Sequence, residues 1–161
     1  MFAPDLLARA EKLLADARAK GLKIAAAESC TGGLVAGLLT EIPGSSDVVE
    51  RGFVTYSNQA KEELLGVPHA ILEAYGAVSE QTARAMARGA LKQSRAGLAV
   101  SVTGIAGPGG GTADKPVGLV HFAAARGDKV IHRECRFGDI GRSEVRLKSV
   151  EMALELLDTL L

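Results

Sequence analysis

Residues 23–39 read Lys-Ile-Ala-Ala-Ala-Glu-Ser-Cys-Thr-Gly-Gly-Leu-Val-Ala-Gly-Leu-Leu, and the pattern changes in the middle. Lys23 to Ala27 is a short apolar run of the kind that buried strands carry, whereas from Thr31 onward apolar residues return at helical spacing. Glu28-Ser29-Cys30-Thr31-Gly32-Gly33 therefore falls in the turn between a strand and a helix. A strand that passes directly into a helix is half of a βαβ unit, which points to an α/β fold.

The flanking segments agree. Upstream, Leu6, Leu7, Ala10, Leu13, Leu14 and Ala17 recur at helical spacing and Gly21 supplies a stop, predicting a helix over 4–20. Downstream of the turn signal at Pro43-Gly44-Ser45-Ser46, residues 48–56 read as a strand, followed by a short helix over 58–65 that Gly66 and Pro68 close. Ser79-Glu80-Gln81-Thr82 has the composition of a helix start, and that helix continues through Leu91. Residues 98–102 form the next strand, and the glycine-rich stretch from Thr103 to Gly111 is a loop. Residues 117–125 and 130–137 make an antiparallel hairpin across Arg126-Gly127-Asp128-Lys129, and an amphipathic helix covers 142–161. The expected architecture is one domain over 1–161, a three-layer α/β/α sandwich whose mixed, mostly parallel sheet has an antiparallel edge strand.

Composition narrows the function classes. Nineteen basic residues balance nineteen acidic ones, with no Lys/Arg run of the kind nucleic-acid binding requires. The N-terminal segment mixes both charges along an amphipathic pattern, unlike a signal peptide or a membrane span, so a cytoplasmic protein is expected. Cys30 and Cys135 lack metal-type spacing and read as reduced thiols. No His/Cys/Asp/Glu cluster has ligand spacing, so neither a metal nor a cofactor is expected. The Ala-rich helix from Gln81 to Leu91 and the apolar final helix are read as association faces for a homo-oligomer, with a dimer favoured.

Ligands of open α/β sheets bind beyond the carboxyl ends of the strands, where Glu28-Ser29, Tyr56 and Thr103-Gly104 all lie. Ser29 either caps the following helix or presents its hydroxyl to a cleft, with N–H groups of Thr31, Gly32 and Gly33 free to hold an oxyanion. Cys30 competes for the nucleophile's role, since a thiolate is stabilised at such a turn. A serine nucleophile needs a base. His69, His121 and His132 lie away from this edge, whereas Lys61 follows Tyr56 just past a strand end and serves if burial depresses its pKa. The alternative is that Lys61 and Glu62 decorate a solvated helix face. The loop from Gly104 to Gly111 offers backbone N–H groups to a phosphate or carboxamide, and Arg142 opens the last helix, where an anion is favoured.

Taken together, AESCTGG (27–33), GFVTYSNQAK (52–61), YGAVSEQTA (75–83), VSVTGIAGPGGGTADKPVG (100–118) and GDIGR (138–142) closely resemble the nicotinamide-nucleotide amidases, the CinA C-terminal domain family. The resemblance runs from about Leu6 to the last helix. It implies hydrolysis of nicotinamide mononucleotide to nicotinic acid mononucleotide and ammonia, with Ser29 as nucleophile and Tyr56 and Lys61 handling protons. It further implies that Thr103, Gly104, Gly107 and Arg142 surround the substrate, together with the turn residues Glu28, Thr31, Gly32 and Gly33. The phosphate is assigned to the glycine loop and Arg142. In many relatives this domain follows an N-terminal domain, and family names invoke competence and DNA damage, for which this chain lacks a basic face.

Overall fold

The computed structural model describes all 161 residues. Its elements are α1 (Pro4–Ala19), β1 (Ile24–Glu28), α2 (Leu34–Glu41), β2 (Val49–Val54), α3 (Asn58–Leu65), α4 (His69–Tyr75), α5 (Glu80–Lys92), β3 (Leu98–Gly104), β4 (Leu119–Arg126), β5 (Lys129–Arg136) and α6 (Arg142–Leu160). One five-stranded sheet has the order β2-β1-β3-β4-β5. β1 lies parallel to both β2 and β3, in the register Ala26 to Gly52 on one side and Ala26 to Val100 on the other. β4 is antiparallel to both β3 and β5. The chain reversal expected at the sheet edge is thus the β4–β5 hairpin, with β4 inside the sheet and β5 at its margin.

Strand side chains alternate between faces, and here the two faces differ in size. Ile24, Leu98, Val100, Val102, Val120 and Phe122 join the large core that includes Leu13, Leu14, Leu38, Leu39, Leu154 and Leu157 from α1, α2 and α6. The opposite face is built from Ala25, Ala27 and Ala99, continued by Ala123 and Ala125 beneath Ala83 and Ala87. Short side chains let α5 lie close to the sheet, and α5 itself is pressed by α3. A Cβ on Gly89 would sit 2.0 Å from the Leu65 carbonyl oxygen, so only glycine fits there. The apolar faces of α5 and α6 that read as association surfaces are therefore spent within the chain, as Met86, Ala90, Val150 and Leu157 are all fully buried.

Helix α4 falls where the sequence reads only a turn. It has seven residues, starts on Pro68 without a side-chain cap and buries only Leu72, too little apolar periodicity to register. No helix is long and apolar enough to cross a membrane.

Candidate active site

The carboxyl ends of β1, β2 and β3 open onto one cleft of about 210 Å³. Because β2 and β3 flank β1 on opposite sides, the chain leaves β1 toward one layer of helices and β2 toward the other. This separation creates the crevice. Ser29 and Cys30 form one wall with Thr103, Gly104 and Ala106, Lys61 closes the floor, and Tyr56 and Arg142 stand at the mouth beside Ala77 and Val78.

Ser29 extends the β1–β3 ladder by donating its N–H to the Val102 carbonyl at 2.9 Å. It is not a helix cap. α2 begins five residues later, its N-cap position is Gly33 at φ +103°, and the capping work falls to Glu28. That buried carboxylate accepts the N–H groups of Gly33 at 3.1 Å, Val35 at 3.1 Å and Ala36 at 2.9 Å, meeting the positive end of the helix with a negative charge. Glu28 therefore faces the helix and does not line the cleft, and Thr31 is fully buried.

These bonds decide which turn N–H groups stay free. Gly32 donates to the Ser29 carbonyl at 3.0 Å and Gly33 to Glu28, whereas the N–H groups of Cys30 and Thr31 have no protein acceptor. The free donors thus lie nearer the serine than the span Thr31 to Gly33 read from sequence.

Lys61 is among the largest fully buried side chains in the molecule. It shares the buried face of α3 with Leu65, one turn on, so it follows the apolar stripe and not the solvated face. Its Nζ lies 3.1 Å from Ser29 Oγ, 2.7 Å from the Thr55 carbonyl and 3.3 Å from the Tyr56 carbonyl. Burial brings its pKa down to about 8 because a desolvated ammonium is disfavoured. Burial pushes the Cys30 thiol up to about 11, leaving it protonated and a poor nucleophile at neutral pH.

The Tyr56 hydroxyl does not bridge Ser29 and Lys61. The ring is exposed, and its oxygen accepts from Arg142 Nη2 at 3.2 Å, while Arg142 Nη1 donates to the Gly107 carbonyl at 2.9 Å. Gly107 has φ +79°, and a Cβ there would meet Val117 at 2.5 Å, so the loop needs glycine at the point where it holds the arginine. Thr103 Oγ1 donates to the Ala77 carbonyl at 2.8 Å, tying the segment before α5 to the end of β3. His121 and His132 contact each other at 2.9 Å and neither lines the cleft. No group of three or more His, Cys, Asp or Glu side chains is placed to hold a metal ion.

Sequence reasoning did not find Ala77, Val78 or Arg146. The first two sit in a quoted motif but have side chains without chemistry. Arg146 stands one helical turn beyond Arg142 on α6, a spacing that puts both on one face and that was available as a signal.

The CinA C-terminal domain model matches residues 7–161. A protein of Escherichia coli strain K12 named nicotinamide-nucleotide amidohydrolase PncC is 49% identical over 155 residues, covering 95% of this chain and 93% of the relative. A CinA-like protein of Mycobacterium marinum is 53% identical over 154 residues, covering 95% of this chain and 34% of the relative. The chain thus spans about a third of the length of the longer curated relatives. Among solved structures, that of competence/damage inducible protein CihA from Agrobacterium tumefaciens superposes with a TM-score of 0.97 at 57% identity, covering 99% of this chain and 98% of that one.

Proposed function

The chain belongs to the CinA C-terminal domain family, and from that premise we propose that it hydrolyses the carboxamide of nicotinamide mononucleotide to nicotinic acid mononucleotide and ammonia through Ser29. The substrate comes from the amidohydrolase relative that aligns over nearly its whole length. The chemistry is supported by one observation above the others, the placement of Lys61.

A neutral amine has two N–H donors and one lone pair. Around Nζ stand two backbone carbonyls, of Thr55 and Tyr56, and one hydroxyl, that of Ser29. With the carbonyls accepting both N–H groups, the lone pair is left for the Ser29 proton, and Ser29 Oγ attacks the carboxamide carbon as that proton moves to Lys61. The oxyanion is received by the free N–H of Cys30, which lines the cleft. Lys61 then returns the proton to the leaving nitrogen, ammonia departs, and water cleaves the acyl-serine by the same steps. The direct contact makes a relay through Tyr56 unnecessary. Its hydroxyl, held by Arg142 at the mouth, is placed alongside the substrate instead.

The cleft is smaller than the roughly 300–1,000 Å³ of sites that enclose drug-sized ligands. It takes the carboxamide-bearing ring and leaves the ribose phosphate at the mouth, where Arg142 and the glycine loop offer a guanidinium and backbone donors. The test is ammonia release by the purified chain from nicotinamide mononucleotide and from nicotinamide riboside, with and without a chelator. Release from the mononucleotide that survives chelation, and is much weaker from the phosphate-free riboside, supports the proposal. Equal use of both compounds overturns the phosphate assignment, and no release from either overturns the substrate.

A further inference from the structure

We propose that Arg146 is a positioning residue for acyl transfer, holding the turn that follows Ser29 in the shape that leaves the Cys30 N–H free for the oxyanion. The inference rests on reading Ser29 as the nucleophile. Arg146 Nε donates to the Cys30 carbonyl at 3.1 Å and Nη2 donates to the Thr31 carbonyl at 3.1 Å. With the Ser29 carbonyl held by the Gly32 N–H at 3.0 Å, all three peptide groups after the serine are tied.

The other ties of the turn are local backbone bonds and Glu28. Gly32 and Gly33 both adopt positive φ, +58° and +103°, where glycine backbone is free to take other conformations. Glu28 fixes only the N–H side of the helix start. On the carbonyl side, Leu34 donates its N–H to the Thr31 carbonyl at 3.2 Å, and the Cys30 carbonyl is held only from the far end of the chain, by a side chain on α6 whose neighbours Val145, Ser149 and Val150 are fully buried.

A lysine reaches one carbonyl as a point charge, whereas the arginine fork reaches two at once, so the arginine is required by geometry.

The test measures kcat and KM for ammonia release from nicotinamide mononucleotide in the parent chain, Ser29→Ala, Arg146→Ala, Arg146→Gln and Arg146→Lys, with thermal melts of each. Displacing the Cys30 donor costs rate in the transition state and not in substrate binding, so Arg146→Ala is expected to lose about 100-fold in kcat with KM nearly unchanged. Arg146→Lys should regain part of that loss where Arg146→Gln does not, and added guanidinium ion should partly restore Arg146→Ala. A folded Arg146→Ala or Arg146→Gln chain that keeps its kcat, or changes only in KM, overturns the proposal while leaving the Ser29 reading intact. If Arg146→Ala does not fold, the Lys and Gln variants decide: equal kcat in the two overturns it. Activity retained by Ser29→Ala instead overturns the nucleophile itself, which separates the two failures.

Discussion

In the proposed mechanism Lys61 carries the chemistry because it is dry. No carboxylate pairs with its Nζ; its partners are two carbonyls and a hydroxyl, and burial lowers its pKa to about 8. The neutral amine is the active form, and its share rises as pH increases toward that value. Below it, kcat/KM is expected to climb about tenfold per pH unit and then level off above pH 8. A pH series of ammonia release checks this, and a profile flat from about pH 6.5 to 9.5 would remove Lys61 as the base. Arg142 acts on another step. Its guanidinium lies at the mouth between Gly107 and Tyr56, where the proposed mechanism has it meet substrate in the ground state and the transition state alike. Arg142→Gln is expected to raise KM by about tenfold or more, as the loss of a charged hydrogen bond implies, with kcat little altered; steady-state kinetics on the mononucleotide will show which parameter moves.

Among the elements, α5 shows how the sheet's alanine face is used. Gly89 touches the Leu65 carbonyl so closely that any side chain must push α3 and α5 apart. Gly89→Ala is expected to cost roughly 1–3 kcal/mol, the range for overpacking a filled core, read as a lower midpoint in denaturant. Because α3 carries Lys61, the same variant should also lose activity before it unfolds. Strands and long helices were legible in the sequence because periodicity and turn residues agreed, as at Lys23 to Leu39 and in the β4–β5 hairpin. The details that set the site were less so. Glu28 reads as a residue near substrate because it ends a strand at the cleft, yet it caps α2 from outside the usual N-cap position, a link made only by the fold of the glycine turn. Lys61 reads as the candidate base or, with Glu62, as part of a solvated helix face, and its four-residue spacing from Leu65 accompanies its burial. Arg146 shares a helix face with Arg142 in the sequence, but its contact with the Ser29 turn crosses more than a hundred residues and is made only by the fold.

At the level of the whole molecule, distant segments are brought to one sheet edge: the turn after β1, the start of α3, the end of β3 and the first turn of α6. The central position of β1 between two parallel neighbours makes this possible, since it divides the helices between two layers and leaves the serine in the gap. In the proposed mechanism the fold supplies the nucleophile, its base, an oxyanion donor and an anion-binding mouth. The most direct test of this assembly is ammonia release from nicotinamide mononucleotide by the purified chain and by Ser29→Ala, measured side by side at about pH 8.5, where the Lys61 amine is largely neutral. Release by the parent chain and a loss of at least about a thousandfold in the variant is the expected result; release by Ser29→Ala at a rate near that of the parent would contradict it.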